Sequence, residues 1–290
     1  MEDRSLKALG LDDVPAKQPL TYPGRPAVEP ALLSGDELLP LEVRRQRLGD
    51  WRVSRGRRLD EALRELGQVG AGHRYPVIAV GSNASPGQVS YKLTRLGIPA
   101  TVPMVPVWVQ GVGVGCSGHI SPAGYVAGTP YIDRSSRTSL VVAWLDAAQL
   151  KAVDDTEFPD YRRAILPGDE FDMVMPSGER LGGAYIYFSA HGVLAGPDGR
   201  PRQGGGDQSA LLAALLADSA ELRELLGPDP ASWVSKAGAD RAVRERGTGI
   251  FGATGRVLPQ SDFLPYVDDS GDLRLYDDLP PLAGSLPSMT

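Results

Sequence analysis

The sequence predicts a mixed α/β fold, of the α+β kind, with a mixed sheet or barrel at its core, flanking helices and long extensions at both ends. Three observations predict it: short β-branched runs crowd residues 75–188, two amphipathic helical stretches interrupt them, and both flanks lose that texture. The units that follow are residues 1–70, an N-terminal arm ending in a helix, residues 71–192, the core, and residues 193–290, a helical and irregular extension packing on the core.

In the core, the strand runs are PVIAV (76–80), VPVWVQGVGV (105–114), YVAGTPYI (125–132), TSLVVAWL (138–145), FDMVM (171–175) and GAYIYF (183–188). PGQVSYKLTRLG follows the first run and opens with proline, which suits a first helical turn. DAAQLKAVDDTE follows TSLVVAWL, and Asp146 is placed to cap its first turn.

The arm carries Pro15, Pro19, Pro23, Pro30 and Pro40 with little periodicity, so it is expected as an irregular segment, flexible or draped over the core. Residues 41–66 hold eight arginines interleaved with five acidic residues, the signature of a salt-bridged surface rather than a phosphate-binding patch. Leu59, Leu63 and Leu66 share one face of a short helix there. The acidic stretch VDDSGDLRLYDD (267–278) is a candidate intramolecular partner for these arginines. Beyond the core, a polar glycine-rich loop (196–208) precedes SALLAALLADSAELRELLG, read as one strong helix capped by Asp207 or Ser209 and stopped at Gly227 and Pro228.

Composition narrows the function. A formal charge of -6 offers no field for attracting nucleic acid or an anionic membrane surface. The single cysteine, Cys116, excludes an intrachain disulfide, and His73, His119 and His191 lack metal-ligand spacing, so no metal or cofactor is expected. No apolar stretch approaches the roughly 20 residues that span a bilayer, and the first residues lack a signal-peptide pattern, so the expected location is the cytoplasm. Oligomeric state stays open.

Two segments carry chemistry. In PVIAVGSNASPGQVSYKL, a strand delivers Gly81, Ser82 and Asn83 to a helix start, where glycine permits close approach and free N–H groups favour a carboxylate or phosphate. The turn matches neither GxGxxG nor a P-loop, which leaves nucleotide binding unsupported. In KAVDDTEFPDYRRAIL, Pro159 ends the helix, so Glu157 stands at its edge, and burial beside Val153 and Phe158 would suit a general base. Arg162 or Arg163 is expected to pair with a carboxylate, Asp154 or Asp155 in the first place. Cys116, near His119, reads as a small core residue.

Taken in order, AVGSN (79–83), LKAVDDTE (150–157), YRR (161–163) and Ala184-Tyr185-Ile186-Tyr187 resemble the γ-glutamylcyclotransferase family. The resemblance spans roughly residues 75–190, with Val80 where that family usually has tyrosine and Phe158 where it usually has glycine. It implies a cofactor-independent enzyme that cyclises the glutamyl part of a small γ-glutamyl compound to 5-oxoproline and releases an amine or amino acid. In that scheme Glu157 is the general acid/base, Gly81, Ser82 and Asn83 hold the substrate, and Tyr161 and Tyr187 line the pocket, with Tyr185 able to take the place of Tyr187. A non-catalytic small-molecule-binding or regulatory module on the same fold is the alternative.

Overall fold

The computed structural model describes residues 3–53, 56–267 and 271–283. Strands β1 (Ala31–Ser34), β2 (Glu37–Glu42), β3 (Arg52–Val53) and β4 (Arg57–Arg58) lead into helix α1 (Leu59–Glu65). The centre follows as β5 (Tyr75–Ala79), α2 (Pro86–Arg95), β6 (Thr101–Ile120), β7 (Val126–Leu145), α3 (Ala147–Glu157), β8 (Tyr161–Pro167), β9 (Met173–Val174) and β10 (Gly183–Ser189). After β11 (Val193–Leu194) come α4 (Gln208–Asp218), α5 (Ala220–Leu226), α6 (Pro230–Ala239), α7 (Arg241–Ala253) and β12 (Val257–Leu258). The architecture is mixed α/β around one large mixed sheet.

The sheet runs β4-β3-β2-β1-β6-β7-β5-β10-β8, with β9 and β11 also pairing with β6. Among the described residues only β5 and β10 pair in parallel, with Tyr185 opposite Val77 and Ile186 opposite Ile78; the other strand pairs there are antiparallel. Both parallel strands therefore release their chain at the same end, where the loop after β5 and the last residues of β10 meet. Side chains alternate between two buried layers. Ala184, Ile186 and Phe188 of β10 enter one layer with Trp51, Trp144 and Phe171, while Tyr185 and Tyr187 enter the other with Val77, Val89 and Leu93.

The runs 125–132 and 138–145 prove to be parts of one strand, β7, and β6 is as long. Their ladder shifts register twice, once between Cys116 and Ile120 and once near its middle, where pairing jumps from Gln110 and Arg137 to Val112 and Ile132. Gly111 sits at that jump with φ 89°, a conformation a side chain would strain. The run 171–175 contributes only β9, and β8, which begins at the YRR motif, is a strand outside the runs read from the sequence.

The arm is more regular than expected. Leu32 and Leu33 are fully buried, and β1 pairs with β6 through Leu32 opposite Pro103 and Leu33 opposite Val102. Pro40, within β2, is tolerated because pairing with β3 begins only at Leu41. Strands β1–β4 thus extend the central sheet. The long helix expected over 209–227 is two helices, because Ser219 leaves the helical conformation and its hydroxyl caps α5 at Leu222 N–H. Asp207 caps α4, as expected, by accepting from Ala210 N–H at 2.7 Å. Helices α4–α7 close a third apolar cluster around Trp233, Phe251, Leu212 and Leu226 against the Cys116 and Ile120 end of β6. No helix among the described residues is long and apolar enough to cross a membrane.

Arg74 joins the parts that position α3. The side chain is fully buried; its Nη1 donates to the carbonyls of Thr101 and Trp144 and to Gln149 Oε1 at 3.1–3.2 Å, and its Nε to Val69 O at 3.1 Å. Burial lowers its pKa to about 10, which still leaves it a cation at neutral pH. Gln149 in turn completes a reciprocal cap with Asp146, whose carboxylate accepts from Gln149 N at 2.9 Å while Gln149 Oε1 accepts from Asp146 N at 3.0 Å.

The acidic tail does meet the arginine-rich segment, through Arg47. Its guanidinium lies 3.7 Å from the Tyr276 ring centroid, donates to Tyr276 O at 2.9 Å and approaches Asp277 and Glu179 at 3.5 Å. Residues 268–270 of that tail lie outside the described residues. Tyr276 is buried edge-on against Trp144, and its hydroxyl donates to the fully buried Glu179 at 2.6 Å. Replacing Tyr276 by alanine should remove packing and strand the Glu179 carboxylate, costing about 4 kcal/mol in urea-induced unfolding, whereas an unchanged midpoint would show the tail to be a passive appendage.

Candidate functional site

A cavity of about 630 Å³ opens at the end of the sheet where β5 and β10 release their chain. It gathers Gly81, Ser82, Asn83, Glu157, Tyr161 and Tyr187, all six residues singled out from the sequence. Val80 and Phe158 line it as well.

The turn after β5 has a physical reason for its glycine. A Cβ at Gly81 would collide with the hydroxyl of Tyr22, and that hydroxyl accepts from Gly128 N at 2.5 Å. Ser82 and Asn83 open a 3-10 turn (Ser82–Ala84) that runs into α2, so their N–H groups have no acceptor inside the turn and are suited to an anion. Asn83 spends its side chain on the rest of the site: Nδ2 donates to Glu157 Oε1 at 2.9 Å, and Oδ1 accepts from Lys92 Nζ at 2.8 Å.

Glu157 is the last residue of α3, and Phe158 leaves the helix in an extended conformation. Its carboxylate is more polar in its surroundings than expected. Lys92 Nζ lies 3.4 Å from Oε1 and also donates to Thr156 Oγ1 at 2.8 Å, while Phe158 stands 45% exposed at the rim instead of covering the base. The reason is the register of α2, which places Lys92 beside the core residue Leu93 and across from the end of α3.

Tyr161 and Tyr187 line the cavity in different ways. Tyr161 donates to the carbonyl of Gly128 at 2.8 Å. Tyr187 donates to Asp154 Oδ1 at 2.6 Å, and the same carboxylate takes Arg163 Nη1, which settles the arginine pairing on Arg163 and Asp154. Tyr185, one turn of the pleat away, points elsewhere: its hydroxyl accepts from Arg274 N at 2.6 Å and anchors the tail. Burial holds the hydroxyls of Tyr22, Tyr161 and Tyr187 far above the ordinary phenol range, and burial with the nearby Glu157 carboxylate pushes Tyr125 up to about 12. Four neutral phenols therefore surround the cavity as hydrogen-bonding groups.

Sequence reasoning missed Tyr22, Tyr125, Lys92 and His119 as cavity residues. Tyr22 comes from the arm and stacks on Tyr125 with centroids 4.3 Å apart. Nothing local marked it, since it sits in a proline-rich stretch some sixty residues before the turn it serves. His119 is buried, with Nδ1 2.5 Å from Ser117 Oγ, an edge contact to Tyr161 and a stacked contact to His191. His191 Nε2 meets Asp160 at 2.8 Å, and this hydrogen bond is the main cause of the lowered pKa of Asp160.

The chain matches no protein-family model and no curated protein. Among solved structures, it is similar to two solution structures of proteins from Arabidopsis thaliana. One is 18% identical over 52% of this chain and 81% of that one, with a TM-score of 0.33. The other is 14% identical over 54% and 95% of the two chains, with a TM-score of 0.34.

Two outcomes test this geometry. Gly81→Ala should disrupt the site by driving Tyr22 off Gly128, and combining it with Tyr22→Phe should recover part of the thermal stability lost; additive losses in the double variant would show that the two residues do not conflict. Burial also pushes His119 down to about 4 from its ordinary 6.5. Between those values the unfolded chain binds more protons than the folded one, so stability falls as pH drops through that window, by about 3 kcal/mol in total. Urea unfolding of His119→Gln across pH 4–6.5 should show a flatter dependence than the unsubstituted protein.

Proposed function

We propose that the protein is a cofactor-independent enzyme of the γ-glutamylcyclotransferase type, which converts a small γ-glutamyl compound to 5-oxoproline and a free amine. The observation that carries this reading is the 2.9 Å bond from Asn83 to Glu157, which brings the anion-binding turn and the acid/base together across 74 positions of chain within one cavity. The order of motifs along the sequence adds to it. Tyr22 bears on the departure at Val80: its ring, supplied from the arm, puts a phenol beside Gly81 where residue 80 itself has none.

In this reading the N–H groups of Ser82 and Asn83 receive the glutamyl α-carboxylate, with the Lys92 ammonium adding charge nearby. Glu157 takes a proton from the substrate α-ammonium, and the freed amine nitrogen attacks the γ-carbonyl carbon. A C–N bond forms to close the five-membered lactam, and the bond to the leaving nitrogen breaks as Glu157 returns that proton to it. The second proton lost by the attacking nitrogen ends on the released amine. The neutral hydroxyls of Tyr22 and Tyr125 offer donors to the carbonyl oxygen as it gains charge, those of Tyr161 and Tyr187 being committed to Gly128 O and Asp154, and no nucleophilic side chain is required.

A second reading rests on Lys92. Because its ammonium and Asn83 already engage the Glu157 carboxylate, the same network also suits a binding module in which Glu157 only fixes the turn. Incubating the protein with a panel of γ-glutamyl amines and peptides, and following 5-oxoproline by mass spectrometry, separates the two. Glu157→Gln should lower kcat by about a thousandfold with little change in KM. Turnover that survives the substitution removes Glu157 as the base, and ligand binding without turnover favours the binding module.

A further inference from the structure

Beyond Glu157, the cavity has a second polar wall that the cyclisation does not use. Its members come from three elements: Ser117 and His119 from β6, Ser189 with the following His191 from the end of β10, and Asp160 from the link between α3 and β8. His119 and Asp160 both line the cavity. The hydrogen bonds are ordered. His191 N donates to Ser189 Oγ at 3.0 Å, Ser189 Oγ lies 2.8 Å from Ser117 Oγ, and Ser117 Oγ lies 2.5 Å from His119 Nδ1. Ser189 Oγ, receiving from His191 N, can give its own proton to Ser117, and Ser117 can give its proton to Nδ1. In that direction Nδ1 is an acceptor and the ring proton of His119 sits on Nε2.

His119 stays uncharged because burial pushes its pKa to about 4. Nε2 has no protein partner among the described residues and is left to the cavity that His119 lines. Stacking on His191, with centroids 4.9 Å apart, and the edge contact to Tyr161 fix the ring plane. A ring N–H that faces the cavity is free to donate to a ligand oxygen. Beside it stands Asp160, a carboxylate held by His191 and 41% exposed toward the cavity end, while the Arg244 guanidinium that also bears on Asp160 is tied to Ala237 O at 2.8 Å.

We propose that the His119 and Asp160 wall is the subsite for the released part of the substrate, with His119 Nε2 donating to a carbonyl or hydroxyl oxygen of a neutral or cationic leaving amine. The inference rests on the cyclotransferase reading. His119 and Asp160 line the same cavity as Glu157, so a substrate whose scissile bond lies at that carboxylate has room to extend its leaving side along them. Asp160 repels a free carboxylate there and tolerates an amide, a hydroxyl or an ammonium. His119 is then a specificity-determining residue that acts on only one half of the substrate.

The test uses three substrates: γ-glutamylglycinamide, which offers a carbonyl oxygen, γ-glutamylglycine, which adds a negative charge, and γ-glutamylethylamine, which offers no oxygen. The unsubstituted protein should prefer the glycinamide by kcat/KM. His119→Asn keeps a group at the Nδ1 position for Ser117 and loses the Nε2 donor, so it should lower kcat/KM for the glycinamide by about threefold to tenfold and leave the ethylamine compound unchanged. His119→Gln, whose amide reaches the Nε2 position, should restore the preference, and Asp160→Asn should raise use of γ-glutamylglycine. Equal losses on all three substrates, or Asn and Gln variants that behave alike, would overturn the subsite while leaving the cyclotransferase reading intact. No 5-oxoproline from any of the three with the unsubstituted protein would overturn both.

Discussion

The buried Arg74 guanidinium is the contact on which the rest of the arrangement depends. It stands just before β5 and ties together the start of β6, the end of β7 and the first turn of α3. The start of β6 is far in sequence from the junction of β7 and α3, and their relative positions decide where the end of α3 falls. Glu157 is that end. Removing the guanidinium would leave several buried carbonyls without a donor, so the cation acts less as a charge than as a multivalent clamp on the backbone.

Much of the site was legible in the sequence because its two main segments are each local. A strand, a glycine turn and a proline-started helix are dictated by residues 76–97, and the cap at Asp146 and the break at Pro159 delimit α3 in the same local way. The alternation of β10 likewise placed Tyr185 and Tyr187 on one face. It did not say which of them reaches the cavity, because that depends on the tail meeting Tyr185.

What escaped the sequence is non-local. Tyr22 acts on Gly81 and Gly128, and no periodicity connects those positions. Lys92 carries no local signal within its helix, and only the packing of α2 beside α3 turns it toward Glu157. The arm was misread for a related reason. Proline density argues for irregularity when counted, yet Pro30 directly precedes β1 and Pro40 sits in β2 ahead of where pairing with β3 begins.

The contact between Tyr22 and Gly81 also orders events in time. During synthesis, residue 22 leaves the ribosome well before residues 81 and 128 exist, and its hydroxyl has nothing to bind until the strands that carry them have paired. Tyr22 therefore takes its place only once residues made after it are present, and the cavity is complete only when an earlier segment closes against later strands.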